Sequence, residues 1–244
     1  MKIMIIGGTS GIGLALAVHY AARGAQLALC GRNTARLHGH ALDGDPRVRT
    51  YQFDLADQVA LSRAMQDFGA DGLDLLIVTA GQYADAAGLA HQPDLGIAVL
   101  RTNVGGLVAA FDAAAALMRQ QGHGHLVAVA SIAGLLRDYP EGSLYAASKR
   151  AAIGICDAYR KALAPFGIVV TTLVPGYVDT MRLRELNGGD ASSKPFLQSE
   201  DEAVGRMADA IDRRVARCVF PWQLHLLVRL FDCLPRRLRS LRKK

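Results

Sequence analysis

Two residues four positions apart, Tyr145 and Lys149, have the types and spacing that proton transfer requires. They lie in the segment Tyr-Ala-Ala-Ser-Lys, and one turn of helix would place both side chains on the same face. A phenol has a pKa of about 10, but a nearby ammonium favours the phenolate and lowers that pKa. The spacing therefore predicts that Tyr145 donates and accepts a proton, although a surface pair has the same spacing.

A glycine-rich turn near the amino end has the spacing of a phosphate-binding loop. Residues 1–6 predict a buried strand and residues 14–22 a helix, with Gly7-Gly8-Thr9-Ser10-Gly11-Ile12-Gly13 between them. Glycine permits a tight turn there and lets backbone N–H groups approach a pyrophosphate at the positive end of the helix. The order of strand, turn and helix indicates a dinucleotide site.

Together these motifs resemble the short-chain dehydrogenase/reductase family in its compact single-domain form, over residues 1 to about 180. The family's Thr-Gly-x-x-x-Gly-x-Gly turn matches residues 6–13, with Ile6 in place of threonine. Its Asn-Asn-Ala-Gly segment is Val-Thr-Ala-Gly at residues 78–81, which puts local bracing of that strand in doubt. The resemblance implies a catalytic quartet of Asn103, Ser131, Tyr145 and Lys149.

The resemblance also implies a role for each member of the quartet. Tyr145 protonates a substrate carbonyl oxygen while hydride arrives from a nicotinamide, and Ser131 orients the same oxygen. Lys149 also binds the nicotinamide ribose, and Asn103 bends a helix and anchors a water of the proton relay. Taken singly, Ser131 is more typical of a cap or a strand-end hydroxyl and Asn103 of a helix-interior turn, and the family resemblance favours the catalytic roles instead. The expected substrate contacts are Ser131, Tyr139, Leu144 and Tyr145.

Cofactor choice depends on the end of the second strand. Gly31 stands where an acidic residue would bind the ribose hydroxyls of NAD, and Arg32 follows with a guanidinium suited to a phosphate. This arrangement favours NADP, with NADPH preferred over NADH, and a solvated loop arginine is the alternative.

Further cofactor contacts follow from the resemblance. Asp54 and Leu55 would contact the adenine, although Asp54 is equally a strand-end cap, and Thr180 is equally a helix cap. The whole expected set is Gly7, Thr9, Ser10, Gly11, Ile12, Gly13, Arg32, Asp54, Leu55, Ala80, Gly81, Tyr145, Lys149, Pro175, Gly176, Val178 and Thr180.

Apolar runs alternate with alanine-rich helical stretches, which predicts an α/β fold: a doubly wound parallel sheet of about seven strands, with helices on both faces. We expect one Rossmann-fold domain at residues 1–220, with a substrate lid at 181–200, and a carboxyl-terminal helix and basic tail at 221–244. The predicted strands are 2–6, 26–30, 49–53, 73–79, 125–130, 168–174 and 217–220.

Charge and cysteine usage restrict partners and compartment. The net charge is +6, but residues 236–244 carry six basic residues and no acidic one, and the remaining 22 basic residues balance 22 acidic residues. No nucleic-acid surface is therefore expected. The four cysteines lack metal-ligand spacing and indicate buried thiols in a reducing compartment. No metal is expected, and the first strand starts at once, which predicts a cytoplasmic protein.

The stretch 222–234 predicts an amphipathic helix before the basic tail. Three roles of this helix remain open: it attaches the protein to the inner face of an anionic membrane, it covers the substrate cleft, or it forms a dimer. The leading function is an NADPH-dependent carbonyl reductase or secondary-alcohol dehydrogenase on a small carbonyl compound, with an apolar or lipid-like 3-keto substrate favoured if the helix covers the cleft. A homodimer or homotetramer is expected. The alternative is a regulatory or scaffolding member without turnover.

Overall fold

The computed structural model describes residues 1–84, 86–92, 94–136 and 143–233. These residues form a seven-stranded sheet in the order β3-β2-β1-β4-β5-β6-β7, and every neighbouring pair is parallel. The predicted doubly wound parallel sheet is therefore confirmed. The strands are β1 (Lys2–Ile6), β2 (Gln26–Gly31), β3 (Val48–Gln52), β4 (Leu75–Val78), β5 (Gly124–Val129), β6 (Ile168–Pro175) and β7 (Arg217–Phe220).

Helices connect the strands. The α-helices of the described residues are α1 (Gly11–Ala22), α2 (Gln58–Gly69), α3 (Ala86–His91), α4 (Leu95–Leu100), α5 (Leu107–Gln121), α6 (Leu144–Leu163), α7 (Met181–Glu185), α8 (Glu200–Asp212) and α9 (Trp222–Cys233). Short 3-10 turns lie at Thr34–Leu37, Ile132–Leu135 and Ala164–Phe166, and a π-helical turn at Arg101–Gly106 joins α4 to α5.

The two faces of the sheet carry separate apolar layers, because alternate residues of a strand point to opposite sides. In β1, Met4 and Ile6 pack in the layer formed with α2, α5 and α6. Ile3 and Ile5 pack on the other side, with α1 and α8. Since both faces of the sheet are covered, the site must lie at the ends of the strands.

The helical run Leu95–Gln121 spans 27 residues with a mean hydropathy of 1.3, which is long and apolar enough to cross a membrane by length and composition. Its residues Leu107, Phe111 and Met118 are buried in the layer against the sheet. Core packing therefore accounts for its apolar character.

The strand order reverses between β1 and β4, and their carboxyl ends diverge there to leave a crevice. The predicted cofactor-binding and catalytic residues lie at the carboxyl ends of the strands: Gly7 follows β1, Gly31 ends β2, Gly81 lies beyond β4 and Ser131 lies beyond β5. Because the strands are parallel, residues that are distant in sequence meet at this one end of the sheet.

The cysteines differ in part from the expectation of four buried thiols. Cys30 and Cys156 are buried, Cys218 is half-buried and Cys233 is exposed. The expectation was wrong for Cys233 because α9 turns that residue outward, and an apolar neighbourhood in sequence does not ensure burial.

Candidate active site

The glycine turn between β1 and α1 is shaped by close backbone contacts. Gly7 adopts a φ of 92°, and a Cβ there would lie within 3.0 Å of the backbone of Ala80. A Cβ on Gly13 would overlap the carbonyl oxygen of Gly7. Both positions therefore require glycine, as the motif predicted.

The turn leaves polar groups directed at open space. Ser10 is the N-cap of α1 and its side chain makes no capping hydrogen bond. Gly11 has a φ of 49°, and a Cβ there would have only Glu200 and Thr180 within 4 Å, each at 3.9 Å or more. A helix N-terminus with uncapped N–H groups and room above it fits a pyrophosphate, so these residues fit a dinucleotide cofactor.

The end of β2 lacks room for an acidic residue. A Cβ on Gly31 would lie 3.0 Å from Cγ2 and 3.3 Å from Cβ of Thr9, and closer still to its hydroxyl oxygen. Thr9 is only 6% exposed, so the position is closed by a buried side chain. Arg32 is exposed, and no ion pair holds its guanidinium among the residues that the structure describes.

Asp54 and Leu55 lie beyond β3, and Asp54 borders a cavity of about 380 Å³. The Asp54 carboxylate accepts a hydrogen bond of 2.9 Å from the N–H of Ala56, as a strand-end cap does. It also lines the cavity, whose other wall comes from the α4 segment and the turn after it. Leu55 is buried, and the adenine contact of this pair stays a prediction.

Tyr145 and Lys149 lie one turn apart in the first turns of α6, whose N-cap is Ser143. The Lys149 ammonium is buried and donates a hydrogen bond of 2.9 Å to the carbonyl of Val129 at the end of β5. It lies 5.7 Å from the centre of the Tyr145 ring. Burial lowers the pKa of Lys149 to about 8, because the charged form loses hydration.

The pKa of Tyr145 does not follow the sequence-based expectation that Lys149 lowers it. Burial of the phenol raises its pKa, a hydrogen bond with Ser131 lowers it by less, and the proximity of Tyr83 adds to the rise. The expectation was wrong because spacing along a helix does not include desolvation, and Lys149 directs its ammonium at Val129. Tyr145 therefore keeps its proton at neutral pH, as a proton donor requires.

Ser131 reaches Tyr145 because the segment after β5 packs directly on α6. Ser131 caps the 3-10 turn Ile132–Leu135, and its hydroxyl accepts a hydrogen bond of 3.2 Å from the N–H of Ala133. A Cβ on Gly134 would lie 2.8 Å from the backbone carbon of Lys149. Gly134, which the motif analysis did not single out, therefore permits the close approach of the turn that carries Ser131 to α6.

Asn103 lies in the π-helical turn, where the helical run from α4 to α5 changes its hydrogen-bond pattern. Its side-chain amide donates to the carbonyl of Gln82 and to the hydroxyl of Ser148, each at 2.9 Å, while its oxygen accepts the Gln82 N–H at 2.7 Å. Ser148 in turn donates to the carbonyl of Tyr145 at 2.7 Å. Asn103 therefore ties the segment after β4 to α6.

The segment Val78-Thr79-Ala80-Gly81 retains its bracing without the family's asparagines. The Thr79 hydroxyl donates to the carbonyl of Ile6 at 3.2 Å, and the N–H groups of Thr79 and Ala80 donate to the same carbonyl. A Cβ on Gly81 would lie 3.2 Å from the Lys149 ammonium and 3.4 Å from the Asn103 oxygen. Gly81 thus borders the catalytic residues directly.

The wall beyond β6 contains Pro175, Gly176, Val178 and Thr180. The Thr180 hydroxyl accepts a hydrogen bond of 3.2 Å from the N–H of Leu183, so it caps α7. The carbonyl of Val178 accepts the Thr180 N–H at 2.8 Å. The capping alternative is present in the structure, and contact of either residue with a carboxamide stays a prediction.

The predicted substrate wall is only partly described. Tyr139 lies outside the described residues, and half-buried Leu144 begins α6 with its side chain facing Gly96 of α4. Tyr83 was missed by sequence reasoning, yet its ring packs edge-on against Tyr145 with 5.1 Å between the ring centres. No local spacing connects Tyr83 to Tyr145, because they meet only through the fold.

Two further polar residues escaped the sequence analysis. One side-chain oxygen of Gln198 and one of Glu200 are buried and have no hydrogen-bond partner among the described residues, and burial raises the pKa of the Glu200 carboxyl. Glu200 begins α8 beside Gly11 and Thr180. In the sequence it is recognisable only as one of three acidic residues after the N-cap Ser199.

The fold and the grouping of Tyr145, Ser131, Lys149 and Asn103 beside a glycine cradle define a dinucleotide-binding oxidoreductase of the doubly wound α/β class. Residues 1–190 match the short chain dehydrogenase family. An uncharacterised oxidoreductase of Mycobacterium tuberculosis is 30% identical over 247 aligned positions, which cover 97% of this chain and 95% of that protein. The chain therefore belongs to the short-chain dehydrogenase/reductase family, as the motifs predicted.

Solved structures agree on the architecture. A short chain dehydrogenase from Burkholderia cenocepacia in complex with NADP has a TM-score of 0.83 and 22% identity, covering 100% of this chain and 97% of that chain. A gluconate 5-dehydrogenase of the same organism, in complex with NADP and tartrate, has a TM-score of 0.75 and 26% identity, with coverage of 90% and 92%. The chain thus has the fold of these proteins.

Proposed function

We propose that this oxidoreductase is an NADPH-dependent carbonyl reductase, acting reversibly as a secondary-alcohol dehydrogenase. The observation that carries the proposal is the contact of the Tyr145 phenol with Ser131 and its position one helical turn from the buried Lys149 ammonium. An acid, a hydroxyl that can orient an oxygen and a cation within one cluster are the groups that carbonyl reduction needs. NADPH would supply the hydride when bound.

The proton-donating role of Tyr145 follows from its environment. Burial keeps the phenol protonated at neutral pH, so it can donate to a carbonyl oxygen that gains negative charge. The Ser131 hydroxyl accepts from the N–H of Ala133 and also bonds to the Tyr145 phenol, so a carbonyl oxygen bound between the two hydroxyls would receive hydrogen bonds from both. The raised pKa of Tyr145 favours reduction at neutral pH, since oxidation of an alcohol requires the phenolate.

Lys149 and Asn103 act on position. The Lys149 ammonium, fixed by the carbonyl of Val129, would hold ribose hydroxyls near Gly81 and thereby position the cofactor. Asn103 fixes Gln82 and Ser148 and thereby the spacing between the segment after β4 and α6. We propose that the water of the proton relay binds beside Asn103.

NADP is the proposed cofactor because the Gly31 position excludes a carboxylate and Arg32 is exposed beside it. The complex of a 26% identical dehydrogenase with NADP supports the same choice. An apolar substrate is favoured by the surroundings of Ser131: Ile132, Leu224 and Val228 form an apolar cluster next to it. We therefore favour apolar ketones or 3-ketoacyl compounds as the substrate class.

The test is Tyr145→Phe, measured by NADPH oxidation against small ketones, 3-ketoacyl thioesters and long-chain ketones. We expect turnover to fall by about a thousandfold or more while NADPH affinity stays within threefold, because the ring still packs but the proton is lost. Tyr83→Phe is the matched control, since its ring touches Tyr145, and turnover there should stay within about tenfold.

Equal losses in the two variants would show that Tyr145 is not the acid. Tight NADPH binding without turnover on any compound of the panel would instead support the regulatory alternative. Affinity and turnover are read separately, so the two results cannot be confused.

A further inference from the structure

Helix α9 carries apolar residues on two sides. Leu224 and Val228 are 8% and 6% exposed and pack with Ile132 and Tyr177. The opposite side remains open to solvent: Trp222 is 66% exposed, and Leu226, Leu227 and Leu230 are 48%, 50% and 56% exposed. We call these four residues the outer α9 face.

The outer α9 face is larger than the scattered apolar exposure that is normal on soluble proteins, because its residues recur at helical spacing on one short helix. No described residue covers it. The inner side of α9 already has its place in the fold, against the wall next to Ser131. The open side therefore needs an occupant of its own.

The sequence that follows α9 indicates the chemistry of that occupant. Residues 236–244 contain six basic residues and no acidic residue, whereas the rest of the chain is balanced. A cationic segment directly after an exposed apolar helix face is complementary to a surface with an apolar interior and anionic headgroups. A second copy of this chain carries the same net charge of +6, so it offers no such complement to the six charges.

We propose that the outer α9 face docks on an anionic membrane surface, with the basic segment 236–244 held against the headgroups. The apolar stretch 222–234, which ends before Pro235 and the basic residues, would extend only about 20 Å as a helix, well short of a bilayer's apolar core of about 30 Å. Such a helix lies on the surface and does not cross it. Trp222 has the amphipathic ring that is enriched at this interface. Docking is independent of the proposed reductase activity.

Docking would also place the catalytic cleft near the lipid. The inner side of α9 contacts Tyr177, over whose ring the Lys194 ammonium of the lid segment lies at 5.6 Å from the ring centre. Met181 in the same lid is 77% exposed. An apolar substrate dissolved in the membrane would therefore meet the cleft wall and the lid together, an extension that rests on the proposed function.

Trp222 gives a direct readout, because it is the only tryptophan of the chain and lies on the proposed contact face. The full chain is titrated with vesicles of phosphatidylcholine and phosphatidylglycerol, and with vesicles of phosphatidylcholine alone. We expect a blue shift of Trp222 emission and quenching by brominated lipid only with the anionic vesicles. Affinity should fall more than tenfold as salt is raised from low to high concentration.

Two variants separate the apolar and the electrostatic contributions. Leu226→Ser combined with Leu230→Ser should lower vesicle affinity at least tenfold, whereas Val59→Ser, at an equally exposed apolar position on α2, should leave it unchanged. Deletion of residues 236–244 should lower the affinity for anionic vesicles by up to about ten-thousandfold at low salt, since each of its six basic residues contributes roughly fivefold.

Three results would overturn the proposal: no emission shift at low salt, equal binding to neutral vesicles, or unchanged binding after the deletion. A dimer that the paired serine substitutions dissociate, together with no response to vesicles, would identify a second copy as the occupant instead. Because salt reversal is measured on the unaltered chain, the test does not depend on the folding of any variant.

Discussion

The exclusion of an acidic residue at Gly31 makes a quantitative prediction. In Gly31→Asp the new Cβ would lie 3.0 Å from Cγ2 and 3.3 Å from Cβ of Thr9, and its closest contact would be the Thr9 hydroxyl oxygen. Thr9 is buried and cannot simply turn into solvent. Overpacking of this kind costs about 1–3 kcal/mol, and we expect Gly31→Asp to lower the free energy of unfolding by that amount.

A double-mutant cycle tests whether this loss in the free energy of unfolding comes from the contact with Thr9. Thr9→Ala removes Oγ1 and Cγ2 and leaves only the Cβ contact at 3.3 Å, which a small shift can relieve. The pair Gly31→Asp and Thr9→Ala should therefore be more stable than the sum of the single changes, by about 1–2 kcal/mol. Gly154→Ala is the matched control, because a Cβ there meets nothing within 4 Å and should not destabilise.

The assay is urea unfolding followed by far-UV circular dichroism, with cofactor affinity measured in parallel. Relative affinity for NADH over NADPH should rise about tenfold or more in the double variant, because a carboxylate accepts from ribose hydroxyls and repels a phosphate. Additivity within about 0.5 kcal/mol would refute the claim that Thr9 closes this position. A fully stable Gly31→Asp protein would refute it as well.

Three further predictions concern single charges. Arg32→Ala should weaken NADPH binding by about 1.5–3 kcal/mol and leave NADH nearly unchanged, as read by calorimetric titration, and equal losses would make Arg32 a mere support of its loop. Because burial lowers the pKa of Lys149 to about 8, its charge is present below that pH and lost above it, so NADPH affinity should decline above about pH 8. A Lys149→Met protein should show no such decline. If NADPH affinity in that variant still declined above pH 8, the decline could not be assigned to Lys149. Glu200→Gln should tighten NADPH binding roughly three- to tenfold at pH 8, because the half-buried carboxylate lies beside Gly11. The gain should shrink at lower pH as the carboxyl, whose pKa is raised, takes up its proton. Exposed Asp201→Asn is the control, and an equal gain in that variant would argue for long-range charge alone.

Much of the fold could be predicted because its signals are local. The seven strands fall within two residues of the predicted positions, since short apolar runs bounded by glycine or polar residues have few other structures available. The positions of Gly7 and Gly13 follow from the same logic, because a turn that tight tolerates no side chain. The family resemblance rests on these local patterns and on the order of four residue types.

The surroundings of the predicted side chains could not be predicted, because they depend on contacts between segments that are far apart in the sequence. Thr79 replaces the bracing of a missing asparagine through the carbonyl of Ile6, more than seventy residues away. Tyr83 reaches Tyr145, and Gly134 admits the Ser131 turn against α6. Each is a meeting of separate elements, and only the sheet order brings them together.

Local patterns were enough to predict the order of strands and helices, the glycine turn and the helical pairing of Tyr145 with Lys149, because each depends on residues that are close in the chain. The direction of the Lys149 ammonium, the raised pKa of Tyr145 and the two-sided position of α9 arise only from contacts between distant elements. Desolvation and side-chain contacts sum over every element packed around a group, so the charge state of a buried residue follows only from the assembled fold.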